Sequence, residues 1–559
     1  MALTALAGLP LFQFRPISGH DAFAYLPRSV EFWRSLESGW LVPRWAPDLN
    51  FGYGEPFFLF NPPLLYYLSA LFHLLGASFV AAQSLTALTL LLLSALGMYV
   101  LAQSLFGRQA GLVCAAAYLF APYLLVTLYV RHAWADFAAF AFLPWAVWGL
   151  ARFARRGAAE HLLVGTFATA LIVLSSNPVT LMAVPMLALV VLAVALERSR
   201  GWALIRGASG LVLGLGLAAY FWIPALAERH DIKLGGVLHG YFEYGNHFVY
   251  PIQFLDLGWG YGLSRPDLQD DMSFAIGPLH LLLALVTAAW GWRRRRSPGA
   301  ARAIVAACLV VLIASLFLAS TASWWVWDRL PMLHYLQYPW RFLSLVAFTT
   351  ALLSGVPFLL ISAGRGWMAP ALMLALLGVV LALGYSHARP QHFRALSDED
   401  VSPSRIAANN IRVTNTGEYQ PRWVIQQPEA VAPGPATVLE GPATLVVKGL
   451  APGLVQLQAA GKERSRIRLN TSYFPGWRIY VDGVQHPYDV DSPLGTMSFT
   501  LEAGAHNLEA RFEDTPIRLW ARAMTLVSLL ALVAVALSVW HLDSGGIALT
   551  REPLPHRVS

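Results

Sequence analysis

The sequence predicts a polytopic α-helical membrane protein of about 12 spans, with a β-sandwich placed before its last span. Three observations carry this expectation. The chain is 57% hydrophobic and only 13% charged, whereas a soluble globular chain is nearer half apolar and a quarter charged. Its apolar residues fall in long runs, such as residues 78–105 and 164–196, and about 20 such residues at 1.5 Å each cross a hydrocarbon core. Residues 388–518 depart from this pattern: apolar and polar residues alternate between Gly, Pro and Asp turns, the period of antiparallel strands.

Taken in order, spans are expected near residues 1–14, 79–105, 110–128, 136–151, 161–175, 178–196, 203–226, 276–292, 303–320, 341–362, 368–387 and 519–541. The first is short, at about 21 Å for 14 residues, and contains Pro10. It is expected either to be half-inserted or to belong to a longer natural start. Residues 61–76, "NPPLLYYLSALFHLLG", are apolar but too short to span comfortably and read as a re-entrant or interfacial helix. The helical domain is thus expected over 1–387, with a long first outer loop at 15–61. The β-sandwich follows over 388–518, then the final helix at 519–541 and a cytoplasmic tail at 542–559.

Basic residues set the orientation. "FGRQ" (106–109), "RFARRGAAEH" (152–161), "ERSRG" (197–201), "RRRRSPGAAR" (293–302) and "GRGW" (364–367) alternate with loops of little net positive charge. The positive-inside rule places all five in the cytoplasm. Loops 15–61, 129–135, 227–275, 321–340 and the segment 388–518 then lie outside. The net charge of +7 is therefore loop charge rather than a nucleic-acid signal, and the arginine run at 293–296 is expected to be a stop-transfer anchor. Cys114 and Cys308 both fall in apolar runs and read as packing residues. No GxxxxGK[ST], no strand–GxGxxG–helix unit, no CxxC and no HExxH occur, which argues against nucleotide-driven work and zinc chemistry.

The candidate chemistry gathers on the expected outer side. "RPISGHDAFAYLPR" puts His20 and Asp21 where the first apolar segment ends, and an acidic group there must be solvated, paired or functional. The aromatic stretch behind it, residues 39–63, holds Arg44, Asp48, Asn50 and Glu55. Such a stretch suits a headgroup belt or a sugar- or lipid-binding surface. "YVRHAWADF" sets Arg131, His132 and Asp136 in a short connection. His132 and Asp136 share a helical face if the helix starts early, and alternatively Asp136 caps the next helix while Arg131 snorkels. A divalent metal is left open, with His132 and Asp136 as its only candidate pair. Asn177 in "SSNPVT" and Tyr338 and Arg341 in "LQYPWRF" complete the set.

The combination of "GHDAFAYLPR", "NPPLLYYLSALFHLLG", "YVRHAWADF", "LQYPWRF" and "YFPGWRIYVDG…LEAGAHNLEARFE" resembles bacterial multi-pass proteins known as 6-pyruvoyl-tetrahydropterin-synthase-related membrane proteins, and the YfhO-like family. Both are similar to distant members of the GT-C superfamily of glycosyltransferases. The zinc-binding histidine set of the soluble pterin enzyme is not reproduced, so the label implies no pterin chemistry. The resemblance implies a GT-C-like membrane enzyme in the bacterial inner (cytoplasmic) membrane with its β-domain outside. It would move a sugar from a polyprenyl-phosphate carrier to a cell-envelope glycan, lipid or protein acceptor, with inversion, in contact with membrane lipid and with no nucleic acid. By the same resemblance Asp21 occupies the acidic position of the first outer loop, Asp136 the second acidic position, and Arg341 the basic residue that faces the lipid phosphate. His20, Glu55, Asn177, Arg131, His132 and Tyr338 are expected to line the substrate site.

Two other readings stay open from the residues. A lipid-linked-sugar transporter or flippase would need ionisable groups along a path through the membrane, and the expected spans hold few. A non-catalytic assembly protein presenting the β-domain would be indifferent to Asp21→Asn.

Overall fold

The computed structural model describes residues 1–544 except 200, 294–298, 362–366, 412 and 415. Three of the four arginines at 293–296, most of "GRGW" and most of the expected tail at 542–559 therefore lie outside the described residues. Among those described, seven helices are long and apolar enough to cross a membrane: Phe79–Phe106, Trp134–Arg156, Asn177–Glu197, Ala301–Ala319, Pro339–Leu360, Met368–His387 and Pro516–Trp540. Two further pairs are bent: Arg108–Leu119 with Pro122–Val130 by 48°, and Gly201–Leu217 with Ala219–Ala227 by 69°. Counting each pair as one span gives nine.

The remaining three expected spans fall short of spanning length. The first breaks into a helix, Ala2–Ala7, and a 3-10 turn, Leu9–Gln13, because Pro10 cannot donate to a continuing ladder. Ala159–Val173 has 15 residues and Pro278–Arg293 has 16, or about 22–24 Å. Ala159–Val173 lies against Trp134–Arg156, where Gly149 and Gly165 bring the backbones together. A Cβ on Gly149 would sit 2.3 Å from the Gly165 nitrogen, the small-residue contact that membrane helices use. The apolar helix Leu64–Leu74 fills the place of the expected interfacial element.

Burial ranks the spans. The best window of Trp134–Arg156 is 83% buried, so this helix is central; that of Pro516–Trp540 is 6% buried, so the last helix is peripheral. The first loop is packed rather than loose. Its helix Tyr25–Glu37 buries Tyr25, Leu26, Val30 and Phe32, and the Phe32 ring lies 5.0 Å from Phe58 and 4.7 Å from Tyr67.

The strands occupy β1 (Ala436–Glu440), β2 (Thr444–Ala451), β3 (Leu454–Gly461), β4 (Ser465–Ser472), β5 (Trp477–Val481), β6 (Val484–His486), β7 (Thr496–Leu501) and β8 (Gly504–Phe512). They form two antiparallel sheets, β1-β4-β7 and β2-β3-β8-β5-β6. Leu457, Ile467, Trp477, Ile479, Phe499 and Leu508 fill the space between them, and Trp45, Leu59 and Phe60 of the first loop join the same core. Residues 388–435 contain no strand among those described. This segment ties helix ends and the first loop together instead: the Asp398 carboxylate accepts from the Phe79 and Val80 amides at 2.8 and 3.1 Å, and Arg394 donates its amide to the Pro16 carbonyl.

Candidate functional site

The site begins with a distortion. Val126–Val130 form a π-helical turn, in which the Arg131 amide reaches back five residues to the Val126 carbonyl at 2.8 Å. Such single turns insert one extra residue and recur at functional positions. Arg131 is left 4% exposed at the end of a bent span. The first loop is stitched onto this turn by backbone bonds: His20 and Asp21 donate their amides to the Val130 and Arg131 carbonyls at 3.1 and 3.0 Å. Gly19 makes that approach possible, since a Cβ there would lie 2.5 Å from the His132 Cβ.

Around this seam three arginines face two carboxylates. Arg131 donates from both terminal nitrogens to Asp136 Oδ2 at 3.2 Å and to the Tyr123 hydroxyl at 3.1 Å, with its guanidinium 4.6 Å from the Trp340 ring centroid. Asp136 also accepts from the Ser176 hydroxyl at 2.7 Å. Asp21 is different: among the described residues its side chain forms no hydrogen bond or ion pair. Burial pushes its carboxyl above the ordinary carboxylate value, against the opposing pull of Arg131, Arg28, His20 and Arg341. Arg341 follows Pro339 in the 3-10 turn Pro339–Phe342 that opens its helix. Its guanidinium lies 5.1 Å from the Tyr338 ring centroid, and its Nε and Nη1 are buried without partners among the described residues. Buried guanidinium donors left unpaired are costly, so this arrangement favours an incoming anion.

The structure brings Asp21, His20, Arg131, Asp136, Tyr338 and Arg341 into one neighbourhood. Tyr338 stacks on Trp340 at 4.5 Å, and His20 Nε2 lies 3.2 Å from the Tyr261 carbonyl. Burial lowers the His20 pKa, which the Asp21 charge opposes. Three expectations are not met in the same way. His132 precedes the helix that begins at Trp134, and its φ of 55° turns it away from the helical path. It therefore shares no helical face with Asp136. Its ring stacks on Trp134 at 4.2 Å, and neither ring nitrogen has a polar partner among the described residues. Among the described residues no group of three His, Cys, Asp or Glu suits a metal ion. Glu55 faces Glu418 and Lys233. Asn177 is exposed and donates to the Phe60 carbonyl at 3.0 Å.

Sequence reasoning missed Arg28, Ser176 and Tyr123. Arg28 sits over Tyr25 and Phe57, with 5.2 and 5.0 Å to the ring centroids, and donates to the Val413 carbonyl. As a basic residue on an expected outer loop it carried the same signal as Arg341. Ser176 caps the helix Asn177–Arg198, accepting from the Val179 amide at 3.2 Å. "SSNP" is an N-cap signature, but nothing local marks its bond to a residue forty positions earlier.

Residues 58–388 match the sequence profile of the 6-pyruvoyl-tetrahydropterin synthase related domain, described as a membrane protein. No curated protein sequence matches the chain. Solved structures with a similar arrangement include the mycobacterial arabinofuranosyltransferase AftD, at 18% identity and a TM-score of 0.42, over 70% of this chain and 27% of that one. The Archaeoglobus fulgidus oligosaccharyltransferase, tethered to an acceptor peptide, gives 14% and 0.43 over 75% and 60%. ArnT from Cupriavidus metallidurans, bound to undecaprenyl phosphate, gives 17% and 0.28 over 63% and 76%. The chain thus spans about a quarter of the length of AftD.

Proposed function

The chain belongs to the 6-pyruvoyl-tetrahydropterin synthase related family of membrane proteins, and from its geometry we propose that it is a glycosyltransferase acting on the outer face of the bacterial cytoplasmic membrane. It moves a sugar from a polyprenyl-phosphate carrier to a cell-envelope acceptor. The observation that carries this reading is the free Asp21 carboxyl set against Arg131, Arg28 and Arg341, with Arg341 donors left unpaired.

Each part has a task. The acceptor hydroxyl oxygen attacks the anomeric carbon as its proton passes to Asp21, and the bond from that carbon to the phosphate oxygen breaks. A carboxyl whose pKa burial raises is a stronger base than an ordinary carboxylate. The leaving phosphate takes the bonding electron pair, and Arg341, with Arg131 and Arg28 behind it, meets the developing charge. Asp136 and Ser176 hold Arg131 in place and act as positioning residues. Tyr338 and Trp340 offer an aromatic wall to the sugar or the first carrier isoprene.

Incubating the purified full chain in lipid nanodiscs with a panel of polyprenyl-phosphate sugars and envelope extract, followed by mass spectrometry, tests the reading. Donor-dependent appearance of a glycosylated product is the expected result. Recovery of every donor intact, with the protein folded, would overturn it.

A further inference from the structure

The loop that precedes the helix Pro278–Arg293 carries large apolar side chains that the protein leaves uncovered. Ile252, Leu255 and Leu257 are 63%, 57% and 63% exposed. They lie in and just after the 3-10 turn Pro251–Phe254. Gln253 of the same turn is buried, and its side chain accepts from the Tyr250 amide at 2.8 Å. The turn thus holds its amide side chain inward and its aliphatic ones outward, the reverse of a loop bathed in water.

Its neighbours name the occupant. The Phe254 carbonyl accepts from the Ile276 amide at 3.0 Å, which seats the turn at the N-terminal end of Pro278–Arg293. That helix has 16 residues, about 24 Å at 1.5 Å each, and so falls roughly 6 Å short of a hydrocarbon core. Its Leu282 and Leu285 are exposed. On the other side, Val249 donates its amide to the Ala319 carbonyl at 2.9 Å, which stitches the loop to the end of the span Ala301–Ala319. Trp324 and Trp325 are exposed at that same end, and the Trp325 ring lies 6.4 Å from Phe317 of the span. Tryptophan at the end of a span marks headgroup level. The apolar patch is therefore continuous with two membrane helices, and it stands where the shorter of them runs out.

We infer that Ile252, Leu255 and Leu257 insert into the lipid leaflet at this end of the bundle, the outer leaflet in the orientation proposed above, and extend the apolar band of the short helix. Asp256 limits the depth. Its carboxylate turns back onto the Gly258 amide at 2.9 Å, and a charge is costly below the headgroups. The turn therefore sits as an interfacial element does, about 5–10 Å into the boundary between headgroups and acyl chains. Further along the same loop, the Tyr261 carbonyl lies 3.2 Å from His20 Nε2, and the Ser264 hydroxyl accepts from Trp340 Nε1 at 3.2 Å. Lipid contact at 252–257 thus anchors the segment that closes on His20 and Trp340.

A bimane label on Leu257→Cys, in the full chain reconstituted into lipid nanodiscs, tests this. The unsubstituted chain, whose Cys114 and Cys308 are buried, gives the labelling background. Leu282→Cys on the short helix and Arg464→Cys on the sandwich are the reference positions. The quenchers are aqueous iodide and a phosphatidylcholine that carries a nitroxide high on its acyl chain. The Leu257→Cys label should follow Leu282→Cys, quenched by the nitroxide lipid and shielded from iodide. Leu255→Cys gives the same reading should Leu257→Cys fail to fold. Iodide quenching equal to that of Arg464→Cys would overturn the inference. So would shielding from both quenchers, which would mean that a second copy or another protein covers the patch. The measurement needs no sugar transfer, so its outcome is separate from that of the glycosyltransferase reading.

Discussion

On the β-sandwich, Arg464 and Glu502 meet at 3.7 Å with side chains 71% and 81% exposed, and Arg511 meets Glu509 at 2.6 Å with water reaching both. At the seam between the first loop and the helices, Arg131 and Asp136 meet with side chains only 5% and 9% exposed. Beside them, among the described residues, Asp21 is unpaired and Arg341 keeps two buried nitrogens without partners. The same residue types are cheap in the first setting and costly in the second. Exposed pairs contribute little because water screens them, whereas a buried charge must be matched or it destabilises the fold. On the function proposed above, the chemistry belongs to the helical part and the sandwich is a solvated cover.

That contrast can be broken at graded points. The largest effect is expected from Asp136→Ala, which strips Arg131 of its partner and leaves a buried cation. A loss of about 3–5 kcal/mol in stability is the scale for such a break, read by thermal or denaturant unfolding in detergent. A change below 1 kcal/mol would show that Arg131 is better solvated than its burial implies.

Glu55 should give the next effect, as a pH dependence. Burial, with Glu418 adding to it and Lys233 opposing, pushes its carboxyl up to about 8. Because the folded value lies above the unfolded one, its contribution is fully present below about pH 4.5 and is lost as pH rises through about 8. A shift of that size is worth roughly a few kcal/mol. Glu55→Gln should flatten stability between pH 5 and pH 8, and an unchanged slope in that variant would remove Glu55 as the cause.

Arg341→Lys comes third. Lysine keeps the charge but loses the fork, so carrier-phosphate affinity should fall by about 1–3 kcal/mol, measured by titration with a polyprenyl phosphate. Unchanged affinity would reduce Arg341 to a membrane anchor. The smallest effect belongs to the sandwich surface: Arg464→Ala should alter stability by no more than about 0.5 kcal/mol and leave transfer untouched. A large loss of transfer there would place part of the site on the β-domain.

The sequence made the helical membrane class legible because long apolar runs have few other uses. It read the strands from alternation, and it singled out Asp21, Arg131, Asp136 and Arg341 by their charge on loops expected outside, residues that the structure brings into one neighbourhood. It did not show that the described residues of 388–435 tie helix ends to the first loop before the first strand at Ala436, since that stretch has no period to read. The sequence carries the shortness of the first span, with Pro10 inside 1–14, and of 161–175, with 15 residues, but not the Gly149–Gly165 contact that packs the latter helix. The His132–Asp136 pairing failed on one dihedral: four-residue spacing implies a shared face only inside a helix, and His132 stands before the first helical residue with a left-handed φ. Ser176 and Arg28 reach the site through tertiary contacts that no local window contains.

Asp21→Asn is the most direct test of the central claim. The substitution keeps the size and removes the base, at a position where the carboxylate supports no hydrogen bond or ion pair among the described residues. Sugar transfer and polyprenyl-phosphate binding should be measured on the same purified sample. Folding and carrier binding should be wild-type-like, with transfer lowered by roughly two or more orders of magnitude. Transfer at the wild-type rate in Asp21→Asn would contradict the claim.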